Sequence, residues 1–300
     1  MFILFCQFFS KKHYFAETFL SSGNILLVKT FGGTPMKFFK SIHIRKKVLG
    51  GIVLALTLSA AMLQALPPAA EKVSAIVTAQ TERKLPIYCV QTDEPKVSVS
   101  FDAAWGAEDT DELLRILAEN DVKATFFLCG YWVEKYPEEV KKIAEAGHDL
   151  GNHSATHPHM SQISSEQITQ ELQKCHQNVK ELTGIEMDLF RPPFGEYDNH
   201  VIETATANGY YTIQWDVDSL DWKEQGAEAE INQVLNHKHL GNGSIILFHN
   251  DAKYTPQVLD TILKGIKEKG FEIVPISELI HRDNYEMDHE GRQIPKATES

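Results

Sequence analysis

The stretch Lys96–Gly130, "KVSVSFDAAWGAEDTDELLRILAENDVKATFFLCG", decides the fold. "KVSVSFD" alternates apolar and polar residues like a strand, "TDELLRILAEN" repeats apolar residues at helical spacing with Thr110 as its N-cap, and "ATFFLCG" is a short buried strand. Strand, helix, strand within thirty-odd residues is one parallel crossover unit.

The same rhythm continues outward. "PEEVKKIAEAGHDLGNH" reads as a helix stopped at Gly147 and then a strand, a long helix runs from about Ser165 to Leu182 and ends at Gly184, and "IETATANGYYTIQWDVDS" repeats helix, glycine stop and strand. "GSIILFHN", "TPQVLDTILKGIKEKG" and "FEIVPIS" close the series. Such alternation predicts an α/β fold with parallel strands wrapped by helices, as a barrel or an open sheet. Length favours an irregular (β/α) barrel with about seven parallel strands.

Composition bounds what such a domain does. A hydrophobic fraction of 43% with 23% charged residues is ordinary for a globular protein. Residues 1–66 hold eight Lys and Arg against Glu17 alone, so they carry +7 of a total of −12 and the remainder carries −19. An acidic body excludes nucleic acid as the partner, because phosphate binding needs clustered Lys and Arg. Cys6, Cys89, Cys129 and Cys175 form no CxxC pair and so indicate neither a zinc knuckle nor a disulfide framework. One bridge among the last three is open in an oxidising compartment, with apolar burial of Cys129 as the favoured reading.

Before the domain, residues 36–66 have a basic start and an apolar run from Val48 to about Leu66. That is an export segment, either a cleavable signal peptide or a membrane anchor, and it implies an exported, cell-surface protein, anchored or secreted. Residues 1–35 read as a mis-assigned N-terminal extension with Met36 as the true start, 67–96 as a linker, 97–282 as the domain and 283–300 as a polar tail. The chain is expected to be a monomer.

In parallel α/β folds the working residues gather at the carboxyl ends of the strands. Asp102 ends "VSVSFD", His153 follows "HDLGN", Arg191 follows "MDLF", Asp216, Asp218 and Asp221 follow "YYTIQW", and His249 ends "SIILF". Convergence of acids, bases and imidazoles on one rim favours His153 and His157, in "GNHSATHPHM", as a metal-ligand pair over two surface histidines. His148, His159 and His176 read as surface histidines, Asp216 and Asp218 as local hydrogen-bond residues, and Trp105 as packing on the barrel rim.

The ordered motifs "SFDAAWG", "HSATH", "RPPFGEY", "DVDSLDW" and "ILFHND" resemble those of the polysaccharide deacetylase family, the NodB-homology domain, and most closely its sporulation-type members. The resemblance implies a hydrolase of carbon–nitrogen amide bonds. It would remove N-acetyl groups from cell-wall polysaccharide, peptidoglycan or a chitin-like N-acetylglucosamine polymer, with a divalent metal, zinc first and cobalt, nickel or manganese as alternatives. Asp102 matches the catalytic base, His249 the general acid, Arg191 the partner of the base and Asp221 the acid that orients the histidine. His153 and His157 match metal ligands, and Phe194, Trp222 and Tyr197 are expected to contact the sugar.

One position departs from the pattern. The family motif reads "FDD", and the second aspartate, a metal ligand, is Ala103 here. Asp102 could move onto the metal, another acid such as Asp251 could replace the ligand, or the site could hold no metal. The alternative to an enzyme is therefore a catalytically impaired homologue acting as a glycan-binding or structural sporulation factor.

Overall fold

The computed structural model describes residues 83–296, together with four strand segments nearer the amino terminus. Those segments, β1 (Phe15–Ser21), β2 (Asn24–Phe31), β3 (Thr34–Pro35) and β4 (Ile42–His43), form an antiparallel hairpin of β1 and β2, with β3 and β4 each pairing β2. The apolar run of the expected export segment lies outside the described residues. Among the described residues no helix is long and apolar enough to cross a membrane.

Residues 83–296 build around β6 (Lys96–Ala103), which pairs in parallel with β7 (Thr125–Leu128) and with β12 (Ile245–His249). Beyond β7 come β8 (Asp149–Asn152), β9 (Leu189–Phe190) and β10 (Tyr211–Thr212); beyond β12 comes β11 (Val217–Asp218). A further strand, β13 (Glu272–Ile273), pairs with the start of β6.

The two edge strands belong to one run, Tyr211–Asp218. Its first half bonds β9 and its second half bonds β12, with Ile213 N donating to Phe190 O (2.8 Å) and Asp216 N to Ile245 O (3.2 Å). A single segment thus pairs with both ends of the sheet and curls it into a barrel. The expected irregular parallel barrel is the fold observed.

Strand alternation sorts the core into two. Phe101, Phe126 and Phe248 face the helices, with ring centroids 4.9 Å (Phe101–Phe126) and 5.7 Å (Phe101–Phe248) apart; Phe127, Leu189, Ile213 and Ile245 form the other cluster. Fully burying each such side chain stabilises by about 1.5–3 kcal/mol. Gly151 in β8 is required by close approach, since a Cβ there would stand 2.4 Å from the Phe127 ring.

Helices α1 (Thr110–Glu119), α2 (Gly130–Lys135), α3 (Pro137–Glu145), α4 (Ser165–Thr183), α5 (Asn199–Ala207), α6 (Ala227–Leu235), α7 (Thr255–Glu268) and the single turn α8 (Ile276–Leu279) accompany these strands. The long helix begins with a reciprocal cap between Ser164 and Gln167 and ends where Gly184 turns left-handed at φ 74°. Asp109, not Thr110, is the cap residue of α1, and Thr110 is its first helical residue.

Three further expectations need correction. Residues 83–96 are not a linker: Ile87 and Val90 are buried, and β5 (Cys89–Val90) pairs with β15 (Arg292–Pro295). The tail is likewise folded from 285 to 295, because β14 (Tyr285–Met287) pairs with β15 and completes a three-stranded sheet. His148 is a core residue at 5% exposure, its Nδ1 accepting from Ala124 N at 3.1 Å. Cys89, Cys129 and Cys175 are all buried free thiols, as expected for Cys129.

Candidate active site

Asp102 lies near the end of β6, and the β6–β12 register sets it opposite His249. Around them opens a cleft of about 540 Å³, lined among others by Trp105, His153, His157, Phe194, Asp221 and Trp222. Every strand-end residue named above except Asp216 and Arg191 lines it. Arg191 stands directly behind the cleft, wholly buried.

Arg191 anchors the base. Its Nη1 donates to Asp102 Oδ1 at 2.7 Å, its Nη2 donates to Ser100 Oγ (2.9 Å) and Gln214 O (3.2 Å), and its guanidinium carbon lies 4.1 Å over the Phe127 ring. Burial pushes the Asp102 carboxyl up, but the Arg191 charge, joined by His153 and His249, more than offsets that and holds it below the ordinary aspartate value. Asp102 is therefore a buried anion at neutral pH.

The histidine pair sits on a loop, not on a helix face. After β8, Ser154 and His157 both take left-handed backbone, at φ 67° and 56°. Such backbone is strained for residues other than glycine. The surrounding bonds enforce it: Asn152 Oδ1 accepts from Ser154 N, Ser154 Oγ from His157 N, and Glu171 of α4 accepts from Ala155 N, Thr156 N and the Thr156 hydroxyl. His153 Nδ1 donates to Arg191 O at 2.7 Å, which leaves Nε2 facing Asp102 Oδ2 at 3.7 Å. Burial keeps His153 and His157 neutral, His157 down to about 4.

Those donors do not fit the three-ligand metal that the resemblance implies. The two imidazoles stand together, with centroids 4.9 Å apart, but Ala103 has no donor atom to offer a metal. The nearest carboxylate is that of Asp102, already bound to Arg191. Among the described residues no group of three or more His, Cys, Asp or Glu side chains is arranged to hold a metal ion.

Across the cleft, Asp221 orients His249. Its Oδ1 accepts from His249 Nδ1 (2.8 Å) and Trp222 N (2.7 Å), and its Oδ2 from His249 N (2.7 Å). Burial alone would lower the His249 value; the bond to Asp221 and its charge, with Asp102 and Asp218 beyond, raise it above that of free imidazole. One buried anion and one imidazole disposed to carry a proton thus stand side by side at the cleft, the arrangement of a general base and a general acid.

Trp105, Phe194 and Trp222, at 52%, 55% and 57% exposure, are the large apolar side chains left open to solvent among the described residues, and all three line the cleft. Trp105 meets His157 edge-on rather than packing away on the rim, and His159 stacks on Phe194 with centroids 4.5 Å apart. Tyr197 does not line the cleft: its hydroxyl bonds Tyr88 at 3.0 Å and Arg83 at 3.3 Å, tying the 83–90 segment down. Asp216 bonds Ile245 N and Ser244 Oγ, the local role expected of it, whereas Asp218 both accepts from Leu220 N and lines the cleft. Sequence reasoning missed Trp215, Glu224 and Lys253 as lining residues, although Glu224 and Lys253 follow Asp221 and His249 by three and four positions.

Comparison with known proteins matches residues 90–213 to the family described as polysaccharide deacetylase. The chain is 36% identical over 195 residues to the uncharacterized protein YlxY of Bacillus subtilis, covering 65% of this chain and 60% of that relative, so it spans less than two thirds of YlxY. It is 32% identical to a peptidoglycan-N-acetylglucosamine deacetylase of Bacillus cereus over 62% of this chain and 69% of the relative. Among solved structures, BA3943 of Bacillus anthracis, described as a CE4 family pseudoenzyme, superposes with a TM-score of 0.63 at 33% identity, covering 70% of both chains. A mutant of BA3943 is described as having restored enzymatic activity.

Proposed function

The chain belongs to the polysaccharide deacetylase family, and on that premise we propose that it hydrolyses N-acetyl groups of cell-wall glycan, with peptidoglycan the favoured polymer. The observation that carries this reading is the placement of Asp102 and His249 as opposite partners on adjacent strands, each with its own buried counter-ion. Asp102 takes the proton from the attacking water, and Arg191 keeps it ionised for that task. His249, charged through Asp221, gives a proton to the departing amine nitrogen, so no amine anion has to leave. The exposed rings of Trp105, Phe194 and Trp222 offer flat faces for sugar rings.

The weak step is stabilisation of the oxyanion. The donors around His153 and His157 fall one carboxylate short of a three-ligand metal site. Loss of a single oxyanion-stabilising group costs about 10²–10³ in kcat. Turnover is accordingly expected to be slow beside that of relatives with the full ligand set. Ala103 favours a second reading, in which the cleft binds glycan without turning it over. The export segment supports action at the cell surface. Incubating the full chain with peptidoglycan and N-acetylglucosamine oligomers tests the proposal: acetate release supports hydrolysis, and saturable binding without acetate supports the second reading.

A further inference from the structure

The hydrogen bonds around Asp221 extend past His249 into the interior. Thr255, the first residue of α7 and wholly buried, sets its Oγ1 3.3 Å from Asp221 Oδ2 and 2.8 Å from Glu230 Oε1. Glu230, on α6, is 4% exposed, and neither the resemblance nor the cleft lining assigns it a role. A gap of about 10 Å³, bounded by Ser219, Asp221, Gln225, Glu230 and Gln233 among others, lies beside the pair.

A hydroxyl has one proton, so Thr255 can donate to only one of the two carboxyls at a time. Asp221 already accepts two backbone N–H groups and the His249 ring, so its oxygens face donors on every other side. Glu230 has Thr255 as its hydrogen-bond partner and carries the proton more readily; burial, reinforced by the charge of Asp221, pushes its carboxyl up to about 7. Protonated, Glu230 donates to Thr255, and Thr255 donates to Asp221. Ionised, Glu230 draws the Thr255 proton to itself, and Asp221 loses that donor.

We propose that Glu230 is a positioning residue for the acid–base site, acting through Thr255 on Asp221 and so on the proton held by His249. The charge facing Glu230 comes from Asp221 on the turn before α6; Asp221 also acts on Asp218 at the end of β11, on His249 at the end of β12 and on Asp251 after it. Both consequences of Glu230 ionisation have one sign. An added negative charge and a less solvated Asp221 each tighten the hold on the His249 proton. The functional weight of this relay rests on the proposed role of His249 as proton donor.

The test is an NMR titration of the His249 ring in the full chain, with folding checked by circular dichroism and acetate release followed in parallel. Glu230→Gln, which keeps a donor to Thr255 but cannot ionise, is expected to weaken proton binding at His249 about threefold, a fall of about half a pH unit in its midpoint. In a Thr255→Val background the same substitution is expected to have less than half that effect, and in Thr255→Ser the full effect. An unchanged midpoint in folded Glu230→Gln, or an equal shift in the Thr255→Val background, overturns the relay. If Glu230→Gln does not fold, Thr255→Val against Thr255→Ser decides: only the former should move the midpoint, and identical titrations overturn the proposal. Acetate release reports separately on the hydrolase reading.

Discussion

His249 and Asp102 occupy the same rung of the β6–β12 ladder, so the two groups proposed to move protons are fixed to each other by main-chain pairing rather than by flexible loops. Each is then held from behind by a partner of opposite charge, Asp102 by Arg191 and His249 by Asp221. This shared main-chain pairing keeps the constellation assembled although Ala103 offers no donor atom.

The charge states predict a pH profile. His249 must be protonated, and its value lies above that of free imidazole, so kcat/KM should stay level through pH 6.5 and fall only as pH rises through the raised value. Asp102 must be ionised, and its depressed value places the acid limb below the ordinary aspartate value of about 3.9. Asp221→Asn removes the anion that holds the His249 proton and should move the alkaline limb down by about one unit or more; steady-state rates against pH read this directly.

Arg191→Met should be costly twice over. Stripping the partner from a buried carboxylate destabilises a protein by about 3–5 kcal/mol, visible as a lower urea midpoint. The surviving fold should hold Asp102 protonated at neutral pH and lose activity about 100-fold or more. Arg191→Lys should keep part of the stability but not the activity, because one ammonium cannot reach Asp102, Ser100 and Gln214 together as the guanidinium does.

Ala103→Asp puts back the carboxylate that the family motif carries at this position. Divalent-metal affinity should rise at least about tenfold by calorimetric titration, since both a bond and charge neutralisation are regained, and acetate release should rise with it. Ala103 is fully buried, so the variant should also unfold at lower urea.

Much of this site could be read from the sequence because it rests on strand ends, where short-range patterning fixes both the strand and its last residue. Asp102, His153 and His249 come to the cleft from such strand ends, with Arg191 behind it. Closure of the barrel was not legible: "YTIQWDVD" reads as one strand, and nothing local says that its halves serve opposite edges. Tyr197 was misplaced because an aromatic next to "RPPFG" looks the same whether it faces sugar or Tyr88. Segments 83–96 and 285–295 look polar and loose alone, since each is ordered by pairing with the other across two hundred residues. Glu230 carries no sequence signal, as an acid on a helix is ordinarily solvated.

The exposed aromatic rim should govern substrate affinity. Trp105→Ala, Phe194→Ala and Trp222→Ala should each raise KM, or weaken glycan binding, by about 3–10-fold, the loss of one ring face. Because all three side chains are more than half exposed, urea midpoints should not move.

The central claim is tested most directly by quantifying acetate released from N-acetylated peptidoglycan by the full chain, by Asp102→Asn and by His249→Ala under the same conditions. The account predicts slow but measurable release by the unmodified chain and at least about a 100-fold loss in each variant. No acetate from the unmodified chain, or equal release by all three proteins, would contradict it.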